Sequence, residues 1–552
     1  MLSVGSAFAA DEDVTLTTID DEITVEDDVL SVEEETDTLE AEDEQVLETG
    51  DTSEVVGASA TVTNTTFHNY FDEDGNLTSD ADELIFEGDF TGIDVNYITI
   101  EKSVKLTGNN AIFNNVSFVI SANNVVIDGF KLYMDNKDTS LISIGDSTNV
   151  TISNNIIDYK GLNYENGFAI FALDIDNLKL INNAITFVGN NESTYINNAI
   201  RIFGDEKKST NIQIEGNTFD ITIPSRTINY DDYPNSLEYS DGVVLLGCEN
   251  ITINKNSMTI NYNDFSGSSD TIKAILIGNS NYDFDEDDEI IYPNLCSNVI
   301  VADNNIVLNG HAYVYGISIA ADNFNITGND LSVSSVNYGA GFEICGFSNK
   351  GNISENTVNV TTPSAAYGVY AYPYGFPVDN MTYSKNKFTV SAYESCGMEL
   401  VENNPTILDN IIIVTGNHTV GIVANMKDYG VISGNTISSL GTNIGHKPAD
   451  PMIHIESTAI SVNGDTLISG NDLTSTSIGI NLVDYGDAGS IVVDGNKITV
   501  TANNDTVANY AIYSKGMDAL NITNNKITFE GKSNGTTDSN AISVTGVDDV
   551  II

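Results

Sequence analysis

NVIVADNNIVL (298–308) reads as two short strands wrapped around one tight polar turn, and this reading decides the fold. Apolar and polar residues alternate at period two on both sides of the turn, the pattern of a strand with one buried face. The stretch returns as NVTISNNIID (149–158), NITINKNSMTI (250–260), NFNITGNDLSV (323–333), NMTYSKNKFTV (380–390) and SIVVDGNKITV (490–500). Its frame is Asn-Φ-x-Φ-x-x-Asn-x-Φ-x-Φ, with Φ apolar. The central asparagine is placed at Asn155, Asn183, Asn217, Asn256, Asn305, Asn329, Asn356, Asn386, Asn410, Asn435, Asn471, Asn496 and Asn525. The shortest spacing is about 24 residues and the others exceed it irregularly, as in a fixed coil carrying loops of variable length.

A third strand, often opened by glycine, keeps step with the asparagines: GISIA from Gly316, GFEIC from Gly341, GVYAY from Gly368, GMELV from Gly397, GIVAN from Gly421 and GINLV from Gly479. Three strands per coil without helical periodicity argue for parallel strands stacked coil upon coil. Leucine-rich repeats lack support in the apolar pattern, and a propeller needs about 40 residues per blade. The expected fold is all-β, a right-handed parallel β-helix of about 14–18 coils. The units resemble the repeats of the pectate-lyase-like β-helix superfamily over roughly residues 84–550, and the central asparagine resembles that superfamily's stacked asparagine ladder.

Charge limits what such a solenoid can bind. Lysine and arginine total 21 against 80 acids, a net charge of −59, which repels nucleic acid, anionic lipid and anionic polysaccharides such as pectin. No apolar run approaches the length of a membrane span. Residues 1–10 read as the end of a signal peptide with the Ala7-Phe8-Ala9 cleavage pattern, so the expected location is extracellular, at the cell surface or wall. Residues 11–60 are expected to be an acidic disordered segment, since 11–54 hold 20 acids and no base. Residues 61–110 are assigned to an N-terminal cap and first coil and 111–552 to the β-helix, which stops in mid-repeat and so is expected to belong to a longer parent.

The catalytic elements of the superfamily do not transfer. Polygalacturonases resemble one another in Asn-Thr-Asp and Gly-His-Gly elements that are missing here, and Arg201 is followed by Ile-Phe instead of x-Lys. Register offers another place. Residues two and four after each leading glycine point outward, so Ser318, Glu343, Tyr370 and Glu399 fall on one outer row, with Tyr372 and Tyr374 beside Tyr370. Glu343 and Glu399 lie two coils, or roughly 9.6 Å, apart, near the carboxylate separation of inverting glycosidases; Tyr367, Tyr370, Tyr372, Tyr374 and Phe376 are placed to stack sugars, with Tyr370, Tyr372 and Tyr374 the candidate ligand-binding residues. The loop 222–240 gathers Arg226, Tyr230, Asp231 and Asp232. Asp283, Asp285 and Asp287 start like a calcium loop and are candidate calcium ligands, although position six is Asp288 and position twelve is Asn294.

Cys248 and Cys296 occupy the same repeat phase on neighbouring coils, a spacing compatible with a disulfide. Of fourteen Asn-x-Ser/Thr sequons, six coincide with the repeat frame, which leaves loop sequons such as Asn191 and Asn417 as the glycosylation candidates.

The terminal Ala-Phe-Ala-Ala, the acidic lead and the segments FHNYFDEDGNL (67–77) and LIFEGDFTG (84–92) resemble the adhesin-like β-helix proteins of methanogenic archaea. That resemblance implies a non-catalytic adhesin presenting its rigid solenoid to surface glycans or partner-cell proteins. The competing expectations are a secreted glycoside hydrolase acting on a neutral glycan and a structural wall spacer.

Overall fold

In a computed structural model of the chain, the described residues are 58–552, apart from 136–139, 162–165, 190–195, 225–240, 263–270, 280–282, 285–289, 292–293, 312, 373–375, 443–456, 484–488, 506 and 536–537. Ala58–Ile552 is one compact unit. It is a parallel β-helix. The strands that precede the asparagine turns stack into one 18-stranded sheet, which opens with Ser59–Val62, so coiling starts well before residue 111. The strands after the turns and the Gly-led strands share a second, 29-stranded sheet.

Each coil turns its alternate Ile, Val, Leu and Phe inward, and these side chains stack into one core that runs through the unit. At the N-terminal end a short 3-10 helix, Asn64–Asn69, places Phe67 against Phe71 with ring centroids 4.6 Å apart. Phe86 and Phe90 continue the packing, so aromatic side chains close the first coil.

The two asparagines of the repeat frame have different tasks. The first sits at positive φ, as at Asn149, Asn177, Asn250 and Asn298, a left-handed conformation that asparagine tolerates better than most side chains. The second points inward and stacks. Asn356 Oδ1 accepts from the backbone N and Nδ2 of Asn329, at 2.9 and 3.0 Å. Its own Nδ2 donates to the Ile326 carbonyl and to Asn386 Oδ1, at 2.8 and 3.0 Å. The same pattern links Asn155 through to Asn525. One rung differs from the sequence reading: Asn304 occupies the ladder, accepting from Asn256 N at 3.0 Å, whereas Asn305 is exposed. Asn304 is the residue six places after Asn298, as the frame requires; its neighbour Asn305 is identical in type and one step out of register.

The Gly-led strand breaks its own alternation. Between neighbouring coils Tyr367 pairs with Cys396 and Val369 with Met398, leaving Gly368 outside the register. A Cβ on Gly368 would lie 2.4 Å from the carbonyl oxygen of Gly397 on the next coil and 2.7 Å from the inward Phe388 ring. Gly368 and Val369 therefore both face the core, a local bulge, and Tyr367 and Tyr370 both face out. The same step recurs at Gly316 and Gly341.

Candidate functional site

Because of that bulge, two columns of side chains stand next to each other on the outer face of the Gly-led sheet. One reads Lys273, Tyr315, Ala340, Tyr367 and Cys396 on successive coils. The other reads Leu276, Ser318, Glu343, Tyr370 and Glu399. The expected outer row is thus present, but it is not a solvated face: Glu343 is 5% and Glu399 2% exposed. Tyr370 is half-buried between them and is the member of this stretch most open to solvent.

Glu343 sits in a polar cluster. Ser318 Oγ donates to Glu343 Oε2 at 2.6 Å, and Lys273 Nζ lies 3.2 Å from the same oxygen. Burial acts to lower the Lys273 pKa, but Glu343, then Cys345 and Asp241, attract its charge and raise it above that of an ordinary lysine. Burial, with the Glu343 charge second, pushes the Cys345 thiol up to about 12. A buried ion pair of this kind contributes little net stability, but loss of one partner strands the other charge.

Beside the cluster lies an aromatic patch. The Tyr338 ring lies tilted at 5.0 Å from Tyr367 and edge-on at 6.1 Å from Tyr370, with Tyr313 tilted against it at 5.2 Å. Tyr315, Ala340, Tyr367, Cys396, Val420 and Val423 form an apolar cluster separate from the core. Burial, then the neighbouring tyrosines and Glu399, hold the Tyr338 hydroxyl well above the usual phenol range. Glu399 therefore borders an aromatic surface, whereas Glu343 sits among Lys273 and Ser318. Two acids in contrasting surroundings suit a division of acid and base roles.

Sequence reasoning missed Lys273, Tyr315 and Tyr338. A signal existed: each lies one or three places before the glycine position, and counting outward residues backward across the bulge would have found them. Tyr372 ends the strand Ala365–Tyr372, while Tyr374 lies outside the described residues, as do Asp285, Asp287, Asn191 and the loop residues Arg226, Tyr230, Asp231 and Asp232. Asp283 opens a two-residue strand paired with Ile290–Ile291. Among the described residues no group of three or more His, Cys, Asp or Glu is placed to hold a metal ion.

Cys248 and Cys296 are buried free thiols stacked on neighbouring coils, with Cys248 N donating to Cys296 Sγ at 3.4 Å. Asn417 is not in a loop: it lies in the strand Ile411–Met426, 8% exposed, and its Oδ1 accepts from Thr442 Oγ1 at 2.5 Å.

No protein-family model and no curated protein sequence matches the chain. Among solved structures it is similar to a periplasmic alginate epimerase, at 13% identity and a TM-score of 0.38, covering 65% of this chain and 77% of that one. It is also similar to the A-module of a mannuronan C-5 epimerase of Azotobacter vinelandii, at 10% identity and a TM-score of 0.36, covering 69% and 91%. A mannuronic acid-specific family 6 polysaccharide lyase from human gut microbiota is similar at 10% identity and a TM-score of 0.28, covering 85% and 82%. The class that the chain's own stacked parallel sheets define is the parallel β-helix.

The expectation of a non-catalytic adhesin is corrected here. The similar structures are carbohydrate-modifying enzymes, and the tyrosines that were to be displayed to a partner are packed together, Tyr367 being only 3% exposed. The resemblance to archaeal adhesin-like proteins holds for the β-helix alone. Among the described residues no helix is long and apolar enough to cross a membrane.

Proposed function

We propose that this chain is an exported carbohydrate-active enzyme that hydrolyses a neutral glycan on the outer face of its Gly-led sheet. The observation that carries the reading is the pair Glu343 and Glu399, buried on the outside of a solenoid and flanking the half-buried Tyr370. A buried acid away from the core costs stability, which is the signature of a functional group. Glu343, among Lys273 and Ser318, is assigned the general base that activates water, and Glu399, against the tyrosines, the general acid that protonates the leaving oxygen. Their two-coil separation, roughly 9.6 Å between strands, leaves room for the water that inversion needs. A net charge of −59 favours a neutral over an anionic polymer. Export rests on the Ala7-Phe8-Ala9 pattern.

The test is release of reducing ends from a panel of neutral polysaccharides, alongside alginate. Glu343→Gln and Glu399→Gln are each expected to lower the rate at least about 100-fold; Glu343→Gln also lowers the melting temperature, because it leaves the buried Lys273 charge without its partner, whereas Glu399→Gln is expected to shift it by no more than a few degrees. Unchanged rates in both variants would remove the site, and an unsaturated product would replace hydrolysis by elimination.

A further inference from the structure

The other sheet carries a groove of about 470 Å³ on its outer face, lined by Asn177, Asn211, Asn250, Asn298, Gln213, Thr252 and Ile300 over buried Ile212 and Ile251. The four asparagines all hold φ between 53° and 57°, which sets their side chains in one row along the solenoid. That row is a second, exterior ladder. Asn177 donates to Asn149 Oδ1 at 2.6 Å, Asn211 to Asp176 Oδ1 at 2.8 Å, Asn250 to Asn211 Oδ1 at 3.3 Å and Asn298 to Asn250 Oδ1 at 3.1 Å.

A primary amide has two N–H donors and an oxygen with two lone pairs. Stacking uses one donor of Asn177 and of Asn250, whereas Asn211 and Asn298 donate in addition to Thr210 Oγ1 and Glu249 Oε1, at 3.5 and 3.3 Å. The remaining donors and the second lone pairs of the amide oxygens follow the coil spacing of roughly 4.8 Å. The floor is in register with it: Gln213 pairs with Thr252 and Thr252 with Ile300. Ile300 is 46% exposed and offers a flat apolar patch. The lining itself is uncharged, and the carboxylates of Asp176, Glu215 and Glu249 at its border accept from Asn211, Gln213 and Asn298, at 2.8, 2.7 and 3.3 Å. At its edge Glu215 is met by Lys255 at 3.3 Å.

An amide-rich strip both donates and accepts, as sugar hydroxyls do, and in a chain of −59 charge with carboxylates at the strip's border the polymer that suits it is a neutral one. We propose that this groove binds a strand of neutral polysaccharide laid along the solenoid axis, each sugar hydrogen-bonded to one rung and one pyranose face resting on Ile300. The groove lies on a different sheet from Glu343 and Glu399, so it serves to hold substrate and takes no part in bond cleavage. It stands or falls independently of the hydrolase reading.

Affinity gel electrophoresis of the full chain through soluble β-1,4-glucomannan, mixed-linkage β-glucan and alginate tests it. The native chain and Glu343→Gln are expected to be retarded equally by at least one neutral polymer and not by alginate. Thr252→Glu combined with Ile300→Asp changes two solvent-facing positions, leaves the ladder intact and is expected to weaken binding at least tenfold at unchanged melting temperature. Asn250→Asp, which is of the same size, removes the donor to Asn211 Oδ1 and adds charge, and is expected to weaken it as well. Equal retardation of the Thr252/Ile300 variant, loss of retardation in Glu343→Gln, or no retardation of the native chain by either neutral polymer overturns the proposal.

Discussion

Replacing Asn304 by alanine is expected to destabilise the solenoid by about 3–6 kcal/mol, while the same change at the adjacent Asn305 costs under about 0.5 kcal/mol. Asn304 Oδ1 accepts from Asn256 N and Nδ2, at 3.0 and 2.9 Å. Its Nδ2 donates to the Ile253 carbonyl at 2.9 Å and to Asn329 Oδ1 at 2.9 Å. Alanine strips partners from groups on the coils before and after it, all buried in a place water does not reach, and each such orphan costs about 1–3 kcal/mol. Asn305 is exposed, and its backbone N–H, which donates to the Asn256 carbonyl at 2.9 Å, is kept by alanine. Urea unfolding of the two variants separates them; equal losses would place the ladder at the wrong residue. Hydrogen exchange should localise the Asn304→Ala loss to the coils around Asn256 and Asn329, because repeats couple mainly to their neighbours.

The second large effect concerns a carboxyl inside the core. Glu402 is 2% exposed, and the buried Tyr383 hydroxyl donates to its Oε1. Burial raises its pKa from 4.5 to about 8; the Tyr383 hydrogen bond acts against this and the Asp379 charge adds to it. The folded chain therefore holds a proton on Glu402 that the unfolded chain has released between those two values. Stability from this group is complete below the unfolded pKa of 4.5 and is lost as pH rises to about 8. The loss is on the order of 3–5 kcal/mol. Glu402→Gln keeps an acceptor for Tyr383 and removes the titration. The variant should match the native chain near pH 5 and exceed it by several kcal/mol near pH 9, roughly one pKa unit above the folded value, in urea melts at each pH. A constant difference between the two chains across that range would contradict a protonated Glu402.

The backbone plan was legible because the frame obeys simple rules. Period-two apolar residues give strands, and the asparagine spacing gives the coil. What the frame concealed were departures of one residue. Asn304 and Asn305 are identical in type, so only counting six from Asn298 separates them. At the Gly-led strands, alternation predicts the outward residues after the glycine, yet Gly368 and Val369 both turn inward because the Gly397 carbonyl and the Phe388 ring leave no room for a side chain. That step shifts the parity of everything before it, which is why Glu343, Tyr370 and Glu399 were placed on the outer row and Lys273 and Tyr338 were not found. Burial was the further surprise. A solenoid's outer row is solvated by default, and no local pattern announces that Glu343 meets Lys273, a residue 70 positions earlier, at 3.2 Å. Asn417 was misplaced in a loop for a related reason: the sequon reads local spacing, whereas its place in a strand and its bond from Thr442 are set by the next coil.

Time-resolved proton NMR of the full chain acting on a neutral polysaccharide tests the central claim most directly, since the first product's anomeric signal reports both bond cleavage and stereochemistry before mutarotation. New reducing ends of inverted configuration, absent with Glu343→Gln and Glu399→Gln, are the predicted result. Retained configuration, an unsaturated or epimerised product, or no reaction on any neutral polymer would contradict hydrolysis by Glu343 and Glu399.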